Sequence, residues 1–242
     1  MTGAESVVAQ RYARVAGILI LLSLVFGGWG EAYVPSRLVV SGDAAATARN
    51  ILSSPLLFRS GFAAYLVEAV CDVTLALVFY YLLKPVDRRL ALLSAFFGIV
   101  ATVTYAFAEC FYFAPSLILS GAEYLKPFSV EQLNSLALLS MKLFNAIAGI
   151  FLGFYGLASA VRGYLIYRSG YLPRALGILF VIGGVSFVID NLAIVLAPAY
   201  SSQLLLVLMA PAGIAMMLWL LVRGLNREEW QRVATRSGML QS

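Results

Sequence analysis

Long apolar runs alternate with short charged or turn-forming stretches along the whole chain. The runs fall at about 12–34, 58–83, 90–118, 133–161, 175–197 and 204–222. About 20 helical residues suffice to cross roughly 30 Å of hydrocarbon, and lipid offers the backbone no hydrogen-bond partner, so helices satisfy it internally. The pattern therefore predicts an all-α fold, a polytopic transmembrane bundle of six spans forming a single integral membrane domain over 1–242. The period-2 alternation of an outer-membrane barrel is absent. The first run, "VAGILILLSLVFGGWGEAYV", is too long for a signal-peptide core and lacks a small-x-small cleavage site, which predicts an uncleaved helix.

The connections carry their own signals. Asp43 precedes an Ala-rich run that Pro55 stops, which predicts a short surface helix at about 43–53 on the outer face, a lid or, more simply, a spacer. Ser129 and Gln132 have the spacing of a capping box at the start of the fourth span. Gly149 and Gly153 form a GxxxG pattern that predicts close helix packing. Trp29 and Trp219 suit the aromatic belts of the two interfaces. Pro211 falls inside the sixth run and predicts a kink there.

Composition agrees with this pattern. Of the 242 residues 62% are hydrophobic and 12% charged, and the mean hydropathy is +0.89. Histidine is absent, which removes Ser-His and Cys-His nucleophile pairs and His-ligated zinc or haem. Cys71 and Cys110 lie within apolar runs and read as small buried hydrophobes. No cofactor and no metal-ligand set is expected.

The net charge of +5 is explained by its placement. Arg11, Arg14, Lys84, Arg88, Arg89, Arg162, Arg168, Arg174, Arg223, Arg227, Arg232 and Arg236 collect on one side of the spans. Only Arg37, Arg49, Arg59 and Lys126 lie on the other. The positive-inside rule then puts both termini, and a basic tail at 223–242, in the cytoplasm of a bacterial inner membrane. The lipid bilayer is the partner this charge implies, and nucleic acid is not needed to account for it.

Six ionisable side chains interrupt the apolar runs: Glu31, Glu68, Asp72, Glu109, Lys142 and Asp190. Such a charge near a bilayer centre costs roughly 2.5–3.5 kcal/mol on insertion scales, so it marks a partner, a cavity or a pathway. A helix rises 1.5 Å per residue. Counted from the basic edge, Asp72 lies at roughly 18 Å, Glu31, Glu68 and Asp190 at roughly 24–25 Å, and Glu109 and Lys142 near 30 Å. The shared depth of the last two on consecutive antiparallel helices predicts a structural ion pair. Glu68 and Asp72, four residues apart, share a helix face. With Asp190, Glu31 and the nearby amides Asn145 and Asn191 they outline an acidic cavity opening outward near the Pro211 level.

Four stretches, "VPSRLVVSGDAAATARNILSSPLLFR", "ALVFYYLLKPVDRRLALLSAFF", "GYLIYRSGYLPRALGIL" and "FVIDNLA", together span most of the chain. In them the chain resembles the bacterial membrane proteins grouped as domain of unknown function 4386. The resemblance implies a six-helix bundle and no particular chemistry. The residues themselves favour a non-enzymatic protein that binds or transports a cation, a proton or a small amphiphile in the acidic cavity. A membrane enzyme using paired carboxylates on a lipid or isoprenoid, and an accessory subunit of a larger complex, are the alternatives. No residue is assigned a catalytic role.

Overall fold

The computed structural model describes residues 2–197 and 207–239, and the regular structure among them is entirely helical. The elements are α1 (Thr2–Gly27), a π-helical segment (Gly28–Tyr33), α2 (Val34–Leu38), α3 (Ala44–Ser53), α4 (Pro55–Leu83) and α5 (Arg88–Ile118). A 3-10 turn (Glu123–Leu125), α6 (Val130–Ser169), α7 (Arg174–Leu196), α8 (Ala210–Val222) and α9 (Arg227–Arg236) follow. Five segments are long and apolar enough to cross a membrane: Ala4–Leu38, Pro55–Leu83, Arg88–Ile118, Val130–Ser169 and Arg174–Ile194. Their outward side chains include Leu66, Val70, Leu77, Val103, Phe107, Ile178 and Ile189. Apolar residues exposed along helices of this length are what a lipid surround requires. The chain is a multi-pass helical membrane protein.

The sixth expected span differs. Residues 204–206 lie outside the described residues, and α8 has 13 residues, which rise only about 20 Å. The helical run is interrupted at Leu208 and Met209, just before Pro211. The ring occupies the first turn of α8, where no intrahelical donor is lost and a fixed φ favours the helix.

The chain divides into two compact units built from interleaved segments. The first contains Met1–Leu21, Cys71–Thr102 and Ile150–Ser242, the second Leu22–Val70 and Val103–Gly149.

The core of the first unit gathers Ala9, Ala13 and Ala16 of α1, Phe79 and Leu82 of α4, Leu165 and Ile166 of α6, Phe180 of α7, Met216 and Leu220 of α8 and Trp230 of α9. Helices α6 and α7 meet backbone to backbone. A Cβ built at Gly156 would stand 2.6 Å from the Gly184 carbonyl oxygen, and one at Gly163 2.6 Å from that of Gly177. The two contacts are seven residues apart on each helix, so they recur on the same face. These glycines, with Gly153, whose Cβ would meet Asn191 of α7 at 2.7 Å, make the close approach between α6 and α7.

The tail is structured as well. Trp230 is fully buried, and its Nε1–H donates to the Leu82 carbonyl at 3.2 Å. The Tyr171 hydroxyl donates to the same oxygen at 2.7 Å, and burial pushes the Tyr171 phenol up from its ordinary value, keeping it a donor. Leu82 lies in the last turn of α4, where carbonyls lack an intrahelical partner. Two side chains from distant segments thus cap one helix. Trp230→Phe keeps the ring and leaves the carbonyl to Tyr171, so a loss of about 1 kcal/mol is expected on chemical unfolding. Combined with Tyr171→Phe it strands a buried acceptor, and the double variant should cost clearly more than the two singles added.

In the second unit, Asp43 caps α3 by accepting from the Ala46 N–H at 2.8 Å, and Asn50 ties α3 to the Leu38 carbonyl at 3.2 Å. The capping box at the start of α6 is closed: the Ser129 N–H donates to Gln132 Oε1 at 2.8 Å and the Gln132 N–H to Ser129 Oγ at 3.3 Å. The core is aromatic, with Tyr65 at its centre.

Candidate functional site

The second unit collects three of the carboxylates around its tyrosines. The sequence Gly-Gly-Trp-Gly at 27–30 permits a local change from α to π winding, seen in the i→i+5 bond from the Val34 N–H to the Trp29 carbonyl. Single π turns are found frequently at functional sites. Such a turn leaves carbonyls to be satisfied from outside, and the buried Tyr65 hydroxyl donates to the Gly30 oxygen at 2.7 Å. Glycine at 27 has a second use. A Cβ there would lie 2.6 Å from Glu68 Oε1, so its absence lets this carboxylate rest against the helix backbone.

Glu31 projects from the π segment and accepts a 2.5 Å hydrogen bond from the Tyr105 hydroxyl. Glu109, one turn beyond Tyr105 on α5, is only 2% exposed, and its Oε1 has no hydrogen-bond partner. The charges of Glu31, Glu68 and Glu109 all act on Tyr65, and that of Glu31 on Glu109. The rings close the group. Tyr65 meets Tyr112 and Tyr105 edge-on, at 5.0 and 5.7 Å between centroids, and Phe144 at a tilt, at 5.6 Å. Edge-to-face pairs at such separations are the favoured aromatic geometry. Among the described residues no three His, Cys, Asp or Glu side chains are grouped to hold a metal ion.

The first unit holds a different polar group. Arg162 is 5% exposed, its guanidinium lying 4.6 Å over the Phe79 ring. It shares a side-chain hydrogen bond with Tyr155 and interacts electrostatically with Asp72. Its Nε, and the Ser159 hydroxyl one turn before it, are buried without a hydrogen-bond partner. Asp190 is buried in α7, and Asn191 lies where a Cβ at Gly153 would meet its Oδ1 at 2.7 Å.

Residues 15–224 match the family described as Domain of unknown function (DUF4386). The chain belongs to this family. A 123-residue stretch, 51% of the chain, is 27% identical to an uncharacterized protein of Archaeoglobus fulgidus and spans 60% of that relative's length. No solved structure matches.

Within this DUF4386 member the expected site residues fall in both units, Glu68 and Asp72 staying one turn apart on α4. Glu31 and Glu68 lie in the second unit, and Asp72, Asp190 and Asn191 in the first. Asn145 is exposed. The expected Glu109–Lys142 ion pair does not form, because Glu109 is buried whereas Lys142 is exposed and makes no ion pair. Equal depth does not imply equal azimuth: α6 turns Lys142 away and presents Phe144 to the tyrosines. Glu109 instead joins the acidic group. Arg162, read from sequence as part of the basic edge, is an interior cation. Its signal was the stripe Tyr155, Ser159, Arg162 at i, i+4, i+7 on α6, and Tyr105, Glu109, Tyr112 repeat that spacing on α5.

Proposed function

We propose that the chain is a multi-pass protein of the bacterial cytoplasmic membrane that binds a small monovalent cation, in exchange with a proton, at Glu109, with Glu31 and Glu68 adding to the local negative charge. With both termini in the cytoplasm, these residues fall in the outer half of their spans, and the site loads from outside. One observation carries the reading: the buried Glu109 Oε1 without a hydrogen-bond partner. An ionised oxygen removed from water needs a compensating charge or donor, and the neighbouring carboxylates supply neither. A cation or a proton does. The rings around Glu109 are packed against one another at 5.0–6.0 Å between centroids, which favours a ligand as small as an ion over an amphiphile's tail.

The test is thermal unfolding of the purified protein in nanodiscs, titrated with Na⁺, K⁺ and methylammonium at several pH values. A ligand that binds only the folded state at a hundred times its Kd stabilises by about 2.7 kcal/mol. The expected result is stabilisation by one of these cations, weakened at low pH, and lost in Glu109→Gln. An equal response in Glu109→Gln, or no cation and no pH response in the parent protein, overturns the proposal.

A further inference from the structure

Where α4 ends at Leu83 and α5 begins at Arg88, the first unit forms a cleft of about 510 Å³. Lys84, Asp87 and Arg88 line it together with Tyr80, Val86 and Met239. The ion pairs among the described residues are Lys126–Glu123 and Arg232–Glu229, so neither cleft cation is neutralised by one. Asp87 does not fill that role. Its Oδ1 accepts from the Arg89 and Leu90 N–H groups, both at 3.0 Å, and is committed to capping α5. Lys84 Nζ instead lies 4.8 Å over the Tyr81 ring, an aromatic shelf typical of the headgroup level.

We propose that this cleft binds the phosphate of an anionic phospholipid headgroup. Three observations agree on that ligand. The turn joins two spans and so sits at the edge of the hydrocarbon, where headgroup phosphates lie. Two cations face one cleft with a single carboxylate, that of Asp87, whose Oδ1 is held by backbone N–H groups, and the cleft volume is in the range of small-ligand sites. Val86 and Met239 add an apolar wall suited to the glycerol and first acyl carbons, for which a free phosphate ion has no use.

The experiment measures lipid retention by native mass spectrometry of the full-length protein released from mixed micelles of phosphatidylglycerol and phosphatidylcholine. Preferential retention of phosphatidylglycerol is expected, falling about 30-fold in Lys84→Gln/Arg88→Gln, at roughly a factor of five per cation near an anionic surface. Ser237→Trp, which fills the cleft and keeps both cations, should lose retention too. Arg223→Gln, at a separate cleft beside Trp219, should retain lipid like the parent. Unchanged retention in both cleft variants, an equal loss in Arg223→Gln, or full displacement of the lipid by excess inorganic phosphate overturns the proposal.

Discussion

Gly163→Ala should cost this protein more stability than almost any other one-methyl change. The added Cβ would stand 2.6 Å from the Gly177 carbonyl oxygen and 2.7 Å from the Val181 nitrogen. Both are backbone atoms of a neighbouring helix, so no side chain can rotate away to relieve the contact. Overpacking costs typically 1–3 kcal/mol, and a rigid neighbour puts this case at about 3 kcal/mol. Gly163→Leu should leave little folded protein. Gly213 provides the contrast, because a Cβ there meets nothing within 4 Å. Gly213→Ala should stabilise α8 by up to about 1 kcal/mol through helix propensity alone. Unfolding of the three variants in detergent checks the pair of signs. A Gly163→Ala protein as stable as the parent would mean that α6 and α7 do not meet through these glycines.

The second large effect concerns Arg162. Arg162→Met removes the buried guanidinium that faces Asp72 and Tyr155 while keeping most of the apolar stem that packs on Phe79. Breaking a buried charge pair from one side costs about 3–5 kcal/mol, because the remaining charge is left uncompensated. Asp72 is only half-buried, so the lower end, about 3 kcal/mol, is expected. Asp72→Asn in the same background should recover at least about 1 kcal/mol of that loss, a coupling that a double-mutant cycle reads directly. Additivity of the two single changes would show that Asp72 and Arg162 are not partners.

These cases also show where the sequence was readable. The apolar runs located the helices because their length is dictated by bilayer thickness. Asp43, Ser129 and Gln132 marked helix starts because capping is local chemistry within four residues. Height along a helix could be counted as well, but rotation about its axis could not. That is why the sequence alone pairs Glu109 with Lys142 and puts Arg162 at the edge. The π segment was hidden for a related reason: its extra residue per turn is stabilised by Tyr65, which is 35 positions away from Gly30. Pro211 lies in an apolar run that reads continuously through 204–222, so the proline that favours a first helical turn reads equally well as a kink. The packing glycines were obscured by number, since twenty glycines leave composition unable to say which meet a backbone.

The shared Leu82 carbonyl has a consequence for how the protein is made. Its two donors, Tyr171 and Trp230, leave the ribosome 89 and 148 residues after the acceptor. The C-terminus of α4 is therefore inserted long before it is capped, and the core around it closes only when α9 arrives. A chain interrupted before Trp230 would sit in the membrane with an open seam at that point, a recognisable mark of an unfinished molecule for membrane quality-control proteases.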